Sequence, residues 1–200
     1  MKEKRPALIV FCKNPIEGKA KTRLAKTLGT SKALAIYKRL IQKTAEVVKP
    51  LDEVDVFVFY SHFIPETDAF DTASPQRELQ KGKDLGERMG NAFQRVFKTH
   101  APAVIIGTDL WELSPLNLET AFSKLHEKEA VIGPAKDGGY YLLGLQKFHA
   151  PLFQNKTWSS EHVFTETLND LKTKEVFLLE VKNDIDTEED IQPYPDLHVF

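Results

Sequence analysis

Apolar residues along this chain alternate between short unbroken runs and helical spacing, a pattern that predicts strands separated by helices. Ala7 to Phe11 (ALIVF) is a continuous β-prone run, as expected of a central strand buried on both faces. A loop with Pro15 and Gly18 follows. From Thr30, positions Ala33, Leu34, Tyr37, Leu40, Ile41, Thr44, Val47 and Val48 keep the three-and-four spacing of an amphipathic helix ending near Pro50. Val54 to Tyr60 reads as a second strand, and the polar stretch with Pro65 and Pro75 as a variable surface loop. Asp84 and Glu87 have capping-box spacing ahead of a helix whose face is Leu85, Met89, Ala92, Phe93, Val96 and Phe97.

Further elements follow the same alternation. Ala103 to Ile106 predicts a strand, Pro115 to Lys128 a helix and Ala130 to Gly133 a strand, followed by DGGYYLLGL. Ser159 or Ser160 can cap a helix carrying Val163, Phe164, Thr167, Leu168 and Leu171, and Glu175 to Glu180 predicts a last strand leading into DIDTEED. Strands alternating with helices imply an α/β fold, a mostly parallel sheet covered on both faces, whose ligands lie beyond the carboxyl ends of the strands.

Composition narrows this picture. Two hundred residues, 42% hydrophobic and 28% charged, suit one globular domain over 1–200. No stretch approaches the roughly 18 consecutive apolar residues of a membrane span, and the apolar run after the charged start is too short for a signal peptide, so a cytoplasmic protein is expected. The single cysteine, Cys12, ends an apolar run and reads as a small core residue. No Cys/His spacing resembles a zinc site.

Net charge is −2, but its distribution is uneven. Met1 to Lys49 holds 13 Lys/Arg against 3 Asp/Glu, whereas the remainder holds 14 against 26. Such asymmetry fits nucleic-acid binding, segregated solvated helix faces, or an anionic ligand at one end and a cation at the other. The acidic remainder and the lack of interleaved aromatics argue against nucleic acid as partner.

Four constellations favour the anion-and-cation reading. KNPIEGKAKTRL, Lys13 to Leu24, follows the first strand, where Lys13, Lys19, Lys21 and Arg23 can converge with loop N–H groups on phosphate. Gly18 permits close backbone approach, Thr22 adds a hydroxyl and Arg23 can grip two oxygens. The alternative is a solvated basic loop. A Walker A loop is excluded, since it needs Gly at Lys13 and Ser or Thr at Ala20. IIGTDLWELSP delivers Asp109 to the same sheet edge, where it can coordinate Mg²⁺ or Mn²⁺, or simply turn the chain or cap a helix, while Glu112 reads as surface or helix start. GPAKDGGYYLLGL offers Asp137 for hydroxyl binding and Gly138 and Gly139 for a tight turn against a ligand, or a plain DG hairpin turn. DIDTEED places five acidic residues in the seven from Asp184 to Asp190, which repel one another unless a cation or the basic loop neutralises them. An ordinary acidic helix start is its alternative.

In order along nearly the whole chain, FCKNPIEGKAKTRL, QKGKDLGERM, IIGTDL, GPAKDGGYYLLGL, the WSS turn and DIDTEED resemble the GT-A-fold nucleotide-diphospho-sugar transferases and nucleotidyltransferases. Within that superfamily the pattern is most similar to a little-characterised bacterial family labelled glycosyltransferase, related to the molybdenum-cofactor and phospholactate guanylyltransferases. The resemblance implies a three-layer α/β/α, Rossmann-like sheet. It implies nucleotide phosphates on Lys13, Lys19, Lys21 and Arg23, with Asp84 and Arg88 near the nucleotide. Asp109 and Asp186 would hold Mg²⁺ or Mn²⁺, and Asp137, Gly138 and Gly139 would line the donor or acceptor pocket, with Asp137 as base.

One departure stands out: Leu110 and Trp111 occupy the turn where the family pattern has proline two residues after the metal-site aspartate, and the indole would reshape the acceptor side. The implied activity is transfer from a nucleotide or nucleotide-sugar donor to a small-molecule acceptor. Glycosyl transfer is favoured, with nucleotidyl transfer to a small phosphorylated acceptor and catalytically impaired nucleotide binding as alternatives. Association as a homodimer stays open.

Overall fold

The computed structural model describes residues 4–71 and 75–198. Seven strands form one sheet in the order β3-β2-β1-β4-β6-β5-β7: β1 Ala7–Cys12, β2 Asp55–Tyr60, β3 Gln76–Leu79, β4 Ala103–Ile106, β5 Ala130–Pro134, β6 Tyr140–Leu145 and β7 Val176–Leu178. Every pairing is parallel except those of β6, which runs antiparallel to both β4 and β5. The α/β expectation therefore holds, with one reversed strand.

Helices cover both faces. Leu8, Val10 and Cys12 of β1 point into one core with α1 (Thr22–Leu28), α2 (Thr30–Val48), α4 (Pro115–Lys124) and α6 (Glu188–Ile191). Ala7 and Ile9 point into the other with α3 (Leu85–Phe97), α5 (Val163–Asp170) and the 3-10 turn Ala150–Phe153. This period-2 division of a fully buried strand explains the uninterrupted apolar run. No helix among the described residues is long and apolar enough to cross a membrane.

Local chemistry sets several boundaries. Asp84 Oδ1 accepts from Glu87 N at 2.8 Å to start α3, and Ser114 and Asn117 form a reciprocal capping box ahead of α4. Chain reversal into β6 uses the turn Ala135 to Gly139, where Ala135 N donates to Gly139 O at 3.1 Å and Gly139 N to Asp137 Oδ1 at 2.9 Å.

Four expectations change. The basic loop is shorter than its sequence suggests, because α1 begins at Thr22 and ends at Gly29, whose φ of 84° separates it from α2. Only Leu24 of α1 is buried, so no helical stripe announced it. Within the stretch read as a surface loop, β3 is a half-exposed edge strand of polar sequence, QREL. Helix α4 stops at Lys124, and His126 N and Glu127 N donate three residues back in a tightened turn. Helix α5 starts after His162 without a side-chain cap; Ser160 Oγ instead donates to Thr157 O at 2.7 Å.

Candidate active site

Parallel strands β1, β2, β3 and β4 deliver their carboxyl ends to one edge of the sheet, and antiparallel β6 begins there. A cleft of about 600 Å³ opens along that edge. Lys13 follows β1, Ser61 and His62 follow β2, Gln80 follows β3, and Gly107 to Leu110 follow β4 in its wall. Leu85, Arg88 and Met89 enter from α3, Tyr140 and Tyr141 from β6, and Asp184 and Asp186 from the acidic segment. Volume and mixed lining suit a small organic ligand with polar groups.

Charge meets charge at one end of the cleft. Lys21 Nζ lies 2.5 Å from Asp109 Oδ1 and 2.9 Å from Asp186 Oδ1, and its side chain is only 5% exposed. The two carboxylates remain 46% and 40% exposed. Arg23, 65% exposed, reaches Asp186 Oδ2 at 3.6 Å. Burial alone would lower the Lys21 pKa; attraction to Asp109 and Asp186 outweighs it, and the net shift is upward. Lys21 also has left-handed backbone, φ 49° and ψ 49°, a conformation that costs a side-chain-bearing residue about 1–2 kcal/mol.

A backbone bond aligns the acidic partners: Ile185 N donates to Asp109 O at 2.9 Å, so Asp184 and Asp186 flank the β4 loop. Asp184 is partly buried. Desolvation, reinforced by the charge of Asp109, pushes its carboxyl up to about 7 despite Lys21 nearby. The rest of DIDTEED is a helix start, with Thr187 and Asp190 forming the capping box of α6 and Glu188 and Glu189 exposed in its first turn.

Two buried polar residues hold the loops in place. Tyr37 Oη donates to Lys13 O at 2.9 Å, accepts from Lys13 N at 3.1 Å, and lies 3.0 Å from Thr108 Oγ1. Desolvation raises its phenol well above the ordinary value, so it stays neutral. Asn14 Oδ1 accepts from His62 N at 2.8 Å while its amide donates to Phe63 O at 2.9 Å, tying the β1 loop to the β2 loop. Cys12 is buried beneath them, and desolvation pushes its thiol up to about 12, as befits a core residue.

The structure brings together Lys13, Lys21, Arg23, Arg88, Asp109 and Asp186 at or beside the cleft. It distributes the other expected site residues elsewhere. Lys19 and Gly18 are exposed on the turn after Ile16, and a Cβ added at Gly18 would meet nothing within 4 Å. Thr22 is exposed on the first turn of α1. Asp84 is spent on the α3 cap, whereas Arg88 Nε donates to Gly82 O at 3.1 Å with its side chain on the cleft. Asp137 bonds its own hairpin turn and is absent from the cleft wall. Gly138, at φ 87°, is required by close approach of the Glu161 backbone, since a Cβ there would lie 2.2 Å from Glu161 O. Trp111 turns away from the cleft toward α2, with Arg39 and Lys43 about 6 Å from its ring, and Leu110 lines the cleft instead.

Sequence reasoning overlooked Tyr37, Asn14 and Asp184. Tyr37 looked like one more position of a helix stripe, and Asn14 like part of a Pro-containing loop. Asp184 was legible only as a member of an acidic run.

Residues 44–160 match a family profile described as "Uncharacterized protein conserved in bacteria (DUF2064)". No curated protein matches. A crystal structure from Desulfovibrio desulfuricans G20, provisionally named a nucleotide-diphospho-sugar transferase, is 31% identical with a TM-score of 0.83, over 91% of this chain and 82% of that one. CMP:2-keto-3-deoxy-manno-octonic acid synthetase in complex with CTP is 11% identical with a TM-score of 0.57, covering 97% and 98% of the two chains. A Mycobacterium tuberculosis H37Rv protein solved with manganese is 14% identical with a TM-score of 0.53, covering 96% and 98%. The chain thus belongs to the bacterial DUF2064 family and has the fold of the nucleotide-using transferases.

Proposed function

We propose that the protein is a metal-dependent transferase that takes a nucleotide-activated donor in the cleft, glycosyl transfer being the first reading. The observation that supports this is the contact of Lys21 with both Asp109 and Asp186, which would set a phosphate-binding cation beside two metal-binding carboxylates. The 31%-identical relative, named for nucleotide-diphospho-sugar transfer, supports the same donor class.

The two carboxylates fit a hard divalent cation. Their Oδ1 atoms already face a single cationic centre, and every donor there is oxygen. Among the described residues no group of three or more His, Cys, Asp or Glu side chains is arranged to hold a metal by itself. Magnesium is commonly held by one or two carboxylates, with substrate phosphates and water completing its shell. Asp109 and Asp186 would therefore hold Mg²⁺ or Mn²⁺, which when bound would neutralise charge on a diphosphate leaving group.

Lys21 and Arg23 would bind the phosphates, and Lys13 and Arg88 would meet the donor along the cleft. Leu85, Met89, Leu110 and Leu113 would supply the apolar part of the wall against the donor. Asp184 lines the cleft, with Asp137 near enough to raise its pKa, so Asp184 would serve as base for an acceptor hydroxyl alongside Asp137. Such catalysis is mainly positioning and electrostatic stabilisation. Nucleotidyl transfer is the second reading, favoured by the crowding of Lys21 and Arg23 at Asp186, where charge on a reacting phosphate would also be neutralised.

A thermal-shift panel of nucleotides, nucleotide sugars and nucleoside triphosphates, with and without Mg²⁺ or Mn²⁺, tests the donor class. Phosphorus NMR of a turnover mixture then separates the readings: glycosyl transfer releases a nucleoside diphosphate and nucleotidyl transfer releases pyrophosphate. Metal-independent binding, or no response to any nucleotide, would refute both.

A further inference from the structure

We propose that Lys21 is an exchangeable internal cation: its ammonium occupies the point between Asp109 and Asp186 in the free protein, and a divalent metal can enter only as that ammonium leaves the two carboxylates, which frees it for the donor's phosphates. This rests on the metal reading above and adds the order in which the site fills.

The ammonium contacts Oδ1 of both carboxylates, at 2.5 and 2.9 Å, the same oxygens a divalent ion would take. Magnesium needs its oxygens at about 2.0–2.1 Å, so metal and ammonium centres would nearly coincide and cannot be held together. Access is asymmetric. The carboxylates are about half open to solvent, whereas the lysine side chain, 5% exposed, approaches from the protein side. Its left-handed backbone at the head of α1 aims it there. Arg23 does not compete for these atoms, because it reaches the other oxygen of Asp186 at 3.6 Å.

Lys21 stays charged throughout, so the exchange needs no proton transfer. Its consequence is coupling: a ligand that accepts the ammonium frees two oxygens for metal, and metal binding frees the ammonium for phosphate. Each therefore tightens the other by the same factor. Without phosphate, the free protein holds divalent metal weakly.

Mn²⁺ binding, read from the electron paramagnetic resonance signal of the free ion, tests this without turnover. Lys21→Met should bind Mn²⁺ about tenfold more tightly than the unaltered protein, a coupling of ordinary size, and adding Asp109→Asn should remove the gain. Equal or weaker binding by Lys21→Met overturns the exchange while leaving the metal reading intact. Absence of Mn²⁺ binding in both proteins overturns both. A second measurement uses the unaltered chain: acylation of lysines followed by mass spectrometry should show Lys21 protected in the metal-free protein and labelled several-fold faster at saturating Mn²⁺. Unchanged labelling overturns the exchange whether or not the variant folds.

Discussion

Lys21 and Asp109 stand 88 positions apart in the sequence, and in the fold Lys21 Nζ rests 2.5 Å from Asp109 Oδ1. The basic first quarter of the chain and its acidic remainder meet through this contact. Replacing Lys21 and Arg23 together by alanine should weaken nucleotide binding by about a hundredfold, the scale expected from two lost charge-assisted contacts. Circular dichroism should show the fold retained, because both partner carboxylates can be solvated.

Removal of one oxygen atom tests the support beneath the site. Tyr37→Phe leaves Lys13 N and Thr108 Oγ1 without their buried partner. It should cost about 1–3 kcal/mol in denaturant unfolding and speed amide exchange at Lys13. Unaltered stability and exchange would show that this bond network does not hold the two loops.

How much could be read in advance depended on whether a residue's role was local. The runs at Ala7 and Ala103 declare buried strands because both faces of β1 and β4 are covered. Asp84 and Glu87 declare a cap because that bond spans three residues. The QREL strand carried no such sign: it is an edge strand paired on one side only, and its alternation is not apolar. At the site, charge polarity was legible, since like charges crowded along a chain need partners. Which lysine would be buried was not legible. That depends on the left-handed turn at Lys21 and on Ile185 N–H bonding Asp109 across the cleft edge. Gly138 illustrates the limit from the other side: a glycine at a turn was evident, but the neighbour demanding it is the Glu161 backbone.

Gly138→Ala should accordingly behave as a folding defect. An added Cβ would meet Glu161 backbone atoms at 2.2–2.6 Å in a φ 87° conformation. A loss of at least about 2 kcal/mol is expected, seen as a lower denaturation midpoint. A neutral effect would show that the hairpin and the 161 segment can separate freely.

Stability without metal should fall as pH rises toward 7. Asp184 has its folded pKa raised from 3.8 to about 7, so it holds its proton more tightly folded than unfolded. Its favourable contribution is complete below about pH 4 and is lost as pH rises through about 7. Asp109, Asp137 and Asp186 oppose its ionisation and Lys21 favours it. In the presence of a chelator, Asp184→Asn should therefore stabilise the protein at pH 8 and change little at pH 4. Equal effects at both values would contradict a raised pKa.

The most direct test is calorimetric titration of the best nucleotide from the thermal-shift panel into the unaltered protein and into Asp109→Asn, each with Mn²⁺ and with chelator. A shared phosphate and metal site predicts binding that Mn²⁺ strengthens at least about tenfold in the unaltered protein, and no Mn²⁺ effect in the variant. Equal Mn²⁺ enhancement in both proteins would contradict the account.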